Sequence, residues 1–69
     1  MMIYRYFSPL RPISPGTFPN TETLIKIHNY DSRKFVENIG CEVWGYIDYS
    51  EPLTKGQIND YELIEEAKR

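Results

Sequence analysis

Few side chains in this 69-residue chain are of types that do covalent or metal chemistry, and they are scattered. His28 is the single histidine and has no cysteine at metal-ligand spacing, so it reads as a surface or packing residue. Cys41 is the single cysteine. It follows Gly40, which closes a predicted helix, and so lies at the opposite end from the helix N-terminus where thiols become reactive. Asp48 and Glu51 are close enough in sequence to flank a sugar or hold a cation, but paired carboxylates on a small domain ordinarily face water. The glycines, Gly16, Gly40, Gly45 and Gly56, are dispersed, which excludes a phosphate-cradling loop. No serine has the flanking glycines of a nucleophile elbow. A chain this short also has difficulty enclosing a pocket of the roughly 300 Å³ or more that small ligands require. The expectation is no catalytic residue, no metal, no cofactor and no enzymatic activity.

Contact chemistry is better represented. In Cys41 to Tyr49 the side chains of an extended strand alternate with period two. Cys41, Val43, Gly45, Ile47 and Tyr49 then share a core face. Glu42, Trp44, Tyr46 and Asp48 share the other, where two large aromatics sit between two carboxylates. Such a face is either covered by another element or is a docking surface with a polar rim. The candidate partner-binding residues are Trp44, Tyr46, Glu42 and Asp48, with Tyr49 and Glu51 at the end of the stripe.

The elements that must position this stripe are short. Residues 2–7 are rich in β-formers and stop at Ser8-Pro9, a first strand. Pro9, Pro12 and Pro15 lie three apart, the period of a polyproline-II helix, and make the loop 9–20 ordered by stiffness. Arg11 beside that ridge resembles a ligand of SH3-like grooves, but a stiff connector needs the same prolines. Pro15-Gly16 suits the centre of a type II turn, and Leu10, Ile13 and Phe18 are available as anchors. Leu24 to His28 reads as a second strand.

Two helices are predicted. The first covers 32–39, with Asp31 as N-cap, a Tyr30–Phe35 staple, Gly40 as the left-handed closing residue and Phe35, Val36 and Ile39 as its buried stripe. The second starts after the N-cap Thr54, with Gln57 completing a capping box and Leu53 stapled to Ile58. Beyond it, residues 61–64 form a short last strand followed by a frayed tail at about 65–69; the alternative is a helix running on through Lys68. The fold class is α+β: one domain, 1–69, with a mostly antiparallel sheet of three to four strands and both helices on one face. Gly45 leaves room for a closely packed helix or ring.

Bulk composition narrows the partners. A lone cysteine precludes an internal disulfide and fits a reducing cytoplasm. No window approaches the roughly 18 apolar residues of a membrane span, and no signal-peptide pattern opens the chain, so the membrane is not an expected partner. Net charge is −2, divided as +3 over residues 1–34 and −5 over residues 35–69. No clustered basic run supports direct nucleic-acid binding. The acidic half would suit a basic, nucleic-acid-handling region of a protein partner.

Several segments together resemble a family. They are Tyr4-Arg5-Tyr6-Phe7-Ser8-Pro9, Arg11-Pro12, Pro15-Gly16-Thr17-Phe18-Pro19, Trp44-Gly45-Tyr46-Ile47-Asp48-Tyr49, Pro52-Leu53-Thr54 and Asp60-Tyr61-Glu62-Leu63. Over residues 3–64 the chain is similar to short bacterial and phage proteins akin to the C-terminal domain of the phage "defence against restriction A" protein. The resemblance brings no enzymatic motif. It implies a mobile-element setting and protection of incoming DNA from a host defence. The expected function is a non-enzymatic anti-defence protein in the bacterial host cytoplasm that binds and inhibits a defence protein of restriction or CRISPR type. The alternative is a self-associating module, a homodimer joined edge to edge, with no inhibitory activity.

Overall fold

The computed structural model describes residues 2–66. Four strands and one helix follow in the order β1 (Tyr4–Ser8), β2 (Leu24–Val36), β3 (Cys41–Tyr49), α1 (Lys55–Asp60) and β4 (Ile64–Glu65). They form one antiparallel sheet in the spatial order β2-β3-β1-β4. The central strand β3 holds both β1 and β2, pairing Tyr6 with Ile47 and Phe7 with Tyr46 on one side and Ile27 with Ile47 and His28 with Tyr46 on the other.

The core lies on the odd-numbered face of β3, as the alternation predicts. Val43, Ile47 and Tyr49 are fully buried there, with Tyr6 of β1 beside them. The Pro-rich loop closes this face by inserting Ile13 and Phe18, and the α1 region adds Leu53, Leu63 and the partly buried Ile58. The loop is tied down by polar contacts at Arg11, Ile13 and Ser14. Asn29 of β2 brackets Ile13, its Oδ1 accepting from Ile13 N–H and its Nδ2 donating to Ile13 C=O, both at 2.9 Å. The predicted type II turn is present: Thr17 N–H donates to Ser14 C=O at 3.0 Å and Gly16 sits at φ +91°. Leu10 does not anchor the loop; it is exposed.

Both large core tyrosines find partners for their hydroxyls. Tyr49 Oη donates to Pro19 C=O at 2.6 Å, and Tyr6 Oη accepts from Leu53 N–H at 2.8 Å. Their rings meet edge to face at 5.9 Å. An amphipathic side chain is useful in so small a core, because its polar tip can satisfy backbone groups that the covering loops leave without a strand partner.

The predicted capping box stands: Thr54 Oγ1 accepts from Gln57 N–H at 3.1 Å, and Gln57 Oε1 accepts from Thr54 N–H at 2.9 Å. The helix is only six residues long. The final strand lies slightly later than 61–64, at Ile64–Glu65, because Glu62 adopts φ +53° and turns the chain before it can pair with β1. Glu66 N–H still donates to Arg5 C=O at 2.9 Å, so the expected fraying does not reach residues 65 and 66; 67–69 lie outside the described residues.

The first predicted helix is absent. Residues 32–36 continue β2, and 37–40 form the turn into β3. Gly40 does take a left-handed conformation, φ +69°, but in a hairpin turn, with its N–H on Val36 C=O at 2.9 Å. An isolated eight-residue helix is marginal even with good caps, whereas extension to β3 gives Lys34, Phe35 and Val36 the partners Val43, Glu42 and Cys41. Among the described residues the sheet therefore has a single helix beside it, and the room left by Gly45 is filled by strand and loop. A Cβ there would collide with the His28 carbonyl and lie 3.0 Å from Ile13 Cδ1.

Candidate functional site

Register across the three long strands decides which side chains meet on the even-numbered face of β3. Arg5 and Phe7 come from β1, opposite Asp48 and Tyr46, while Lys26 and His28 come from β2, opposite the same two residues. Tyr46 is the hub. His28 stacks on its ring at 5.2 Å and 25°, the Arg5 guanidinium lies 3.9 Å from its centroid, and Tyr30 and Phe7 approach at 6.1 and 6.4 Å. Lys26 Nζ is 6.0 Å away. These cations favour the negative face of an aromatic ring.

Asp48 does not belong to a free rim. It is 3% exposed and held by Arg5 through two parallel bonds, Nε to Oδ1 at 2.8 Å and Nη2 to Oδ2 at 3.0 Å. A fork of this kind offsets the cost of burying a carboxylate. The same hydrogen bonds, followed by the Coulomb attraction, raise the Arg5 pKa, against desolvation. Burial, with a smaller contribution from Tyr46, raises the Tyr30 phenol above its ordinary value and keeps it neutral.

Of the other predicted contact residues, Trp44 and Tyr46 are half-buried on this face. Glu42 is exposed, 3.8 Å from Arg33 Nη2, and the Arg33 guanidinium lies 5.8 Å from the Trp44 ring. Glu51 is exposed just past β3. Tyr49 is in the core, so its ring is closed to any partner. Of the groups weighed for chemistry, His28 is exposed in its stack and Cys41 is half-buried at the start of β3. Among the described residues no group of three or more His, Cys, Asp or Glu could hold a metal ion.

The covering element that the stripe called for is partly supplied by β2 itself. Between Asn29–Gly45 and Lys34–Val43, β2 advances five residues while β3 advances two, leaving three extra residues that bend the arm. The hairpin turn thereby lines, together with Arg5, Phe7 and Glu66, an open groove of about 280 Å³ to which Tyr30 and Lys34 also contribute. Phe7 is left only 3% exposed although it points away from the main core. Sequence reasoning missed Arg5, His28, Tyr30 and Phe7. Their spacing carries no signal, since Arg5, Phe7 and His28 enter the cluster only through pairing with β3 and Tyr30 only through the bulge that follows Asn29.

Three ion pairs, Arg5–Asp48, Arg11–Glu62 and Arg33–Glu42, each join the basic first half to the acidic second half. Only Arg5–Asp48 is buried enough to hold the fold; the other two pairs are exposed, and the aromatic face is studded with cations.

With this geometry described, the family comparison is informative. The family described as "Defence against restriction A C-terminal" matches residues 1–68. The chain belongs to that family. No curated protein and no solved structure matches it. Among the described residues of this defence against restriction A C-terminal member, no helix is long and apolar enough to cross a membrane.

Proposed function

We propose that this protein is a non-enzymatic anti-defence factor of phage or mobile-element origin, acting in the bacterial host cytoplasm. It binds a host defence protein, of restriction or CRISPR type, and inhibits it by contact. The observation that carries the reading is the half-buried pair Trp44 and Tyr46, approached by Arg33, Arg5 and His28 on a sheet face that no helix covers among the described residues. Family membership supplies the setting. Aromatic side chains that are pre-positioned lose little entropy on binding, which is why they dominate interface energetics.

Capture of the tagged protein's partner from a host carrying several defence systems tests the proposal. Trp44→Ala is expected to weaken that capture by about 2 kcal/mol, roughly thirtyfold, while Glu22→Ala in the exposed loop leaves it unchanged. Equal capture by both variants would remove Trp44 from the interface. Failure of the wild type to protect phage DNA against any of the systems would remove the function.

A further inference from the structure

We propose that the free edge of β2 at residues 26–29 takes a short, acidic, extended segment of the partner protein as a fifth strand. The inference rests on the protein-contact reading above and specifies what the partner must present.

β2 ends the sheet order, so the backbone donors and acceptors on its outer side have no strand partner among the described residues. Unpaired edge groups of this kind are satisfied by another extended backbone, which fixes the occupant's conformation before any side chain is considered. The usable window is defined by register. Residues 26–29 pair without interruption to Asp48, Ile47, Tyr46 and Gly45, and a shift bounds them on each side. Four residues span about 13 Å, room for a short strand. Every residue from Ile25 to Asn29 is exposed, including Ile25 at 43% and Ile27 at 39%. The opposite edge offers no such template, since β4 has two residues.

Charge selects the occupant. Lys26 makes no ion pair among the described residues, because the carboxylate across from it, Asp48, is already forked to Arg5. The window Lys-Ile-His-Asn contains no acidic residue, so an antiparallel second copy would leave Lys26 unmet and bring a like charge into the same ribbon. A strand carrying Asp or Glu supplies what is missing. The lysine that blunts the edge against self-pairing is thus the residue that admits an acidic strand.

A displayed library of random linear peptides, selected against the full chain, tests this and requires no identified partner. Enriched peptides are expected to combine β-branched or aromatic residues with at least one Asp or Glu. Their binding should slow amide exchange at residues 26–29 and not in β4. Lys26→Glu should weaken them by about tenfold or more, and Lys26→Gln, which sets no like charge opposite Asp48, should weaken them as well. A library that returns no binder overturns the proposal, as do peptides that bind Lys26→Glu equally well or protect another segment. Light scattering that finds a dimer with residues 26–29 protected would overturn it in favour of a second copy. Partner capture lost in Trp44→Ala but kept in Lys26→Glu would overturn the edge while leaving the contact function standing.

Discussion

The two faces of β3 are built from alternate residues of one nine-residue strand, yet they solve opposite problems. On the odd face Val43, Ile47 and Tyr49 have no exposure, and the polar tip of Tyr49 is satisfied by the chain's own backbone. On the even face Trp44 and Tyr46 stay half in solvent, approached by the cations Arg33 and Arg5 and only partly covered by the β2 arm. The first face is stabilised by exclusion of water, which leaves nothing for a partner. The second is stabilised by ring–cation contacts that fix its shape while keeping its area available. Substitutions on the odd face should therefore be read out as stability, and those of the even-face aromatics Trp44 and Tyr46 chiefly as binding.

The largest test of that division is Gly45→Ala. Its Cβ would run into the His28 carbonyl and press on Asn29 Cα and Ile13 Cδ1, each at 3.0 Å, separating β2 and the Pro-rich loop from β3 at once. A loss of about 3 kcal/mol or more is expected in denaturant titration, because the crowding atoms are largely backbone. A loss below about 1 kcal/mol would show that β2 adjusts freely and that the odd face is not tightly closed.

Next comes pH. Burial pushes the Tyr49 phenol up to about 12 from its ordinary 10. A raised folded-state value means that the native state keeps a proton the unfolded state gives up. Stability is then complete below about pH 10 and falls as pH rises toward 12, by about 2–3 kcal/mol. Tyr49→Phe removes this dependence at the cost of the Pro19 hydrogen bond, so its stability should be lower near neutrality and flatter between pH 10 and 12. An unchanged alkaline slope in the variant would mean that another group dominates.

Asp48→Asn is intermediate, since it breaks a fork whose Arg5 partner keeps a side-chain exposure of 35%. About 2 kcal/mol of destabilisation is expected in a thermal melt, and Tyr46 should become more mobile as Arg5 is released. The smallest stability effect belongs to Trp44→Ala, about 1 kcal/mol or less, in spite of its size. A loss comparable to that of Gly45→Ala would erase the contrast between the faces and make Trp44 a core residue.

The period-two pattern of residues 41–49 is visible in the sequence because side-chain alternation is a property of the strand alone. The Thr54–Gln57 box and the Pro15-Gly16 turn are equally local, and both are present in the fold. Residues 32–39 misled for a physical reason. Asp31 and Gly40 satisfy the end requirements of a helix, but a left-handed glycine serves a hairpin turn equally well. The contest was decided by pairing with β3, which no local signal reports. The candidate site divides along the same line: Trp44 and Tyr46 follow from alternation, whereas the burial of Asp48 and the arrival of Arg5 and His28 depend on three-strand register, and that of Tyr30 on the bulge beyond it. A three-residue bulge has no compositional marker at all.

The strand order has a consequence for how the protein is made. β1 and β2, the first two strands, do not touch as neighbours; each is hydrogen-bonded to β3, and β1 also to β4. A nascent chain leaving the ribosome therefore has no sheet to form until β3 begins to emerge at Cys41, and its early cationic segments wait for carboxylates not yet synthesised. An mRNA cut short before β3 yields a polypeptide whose two strands have no sheet partner in each other, so the whole sheet depends on the segment that comes after them.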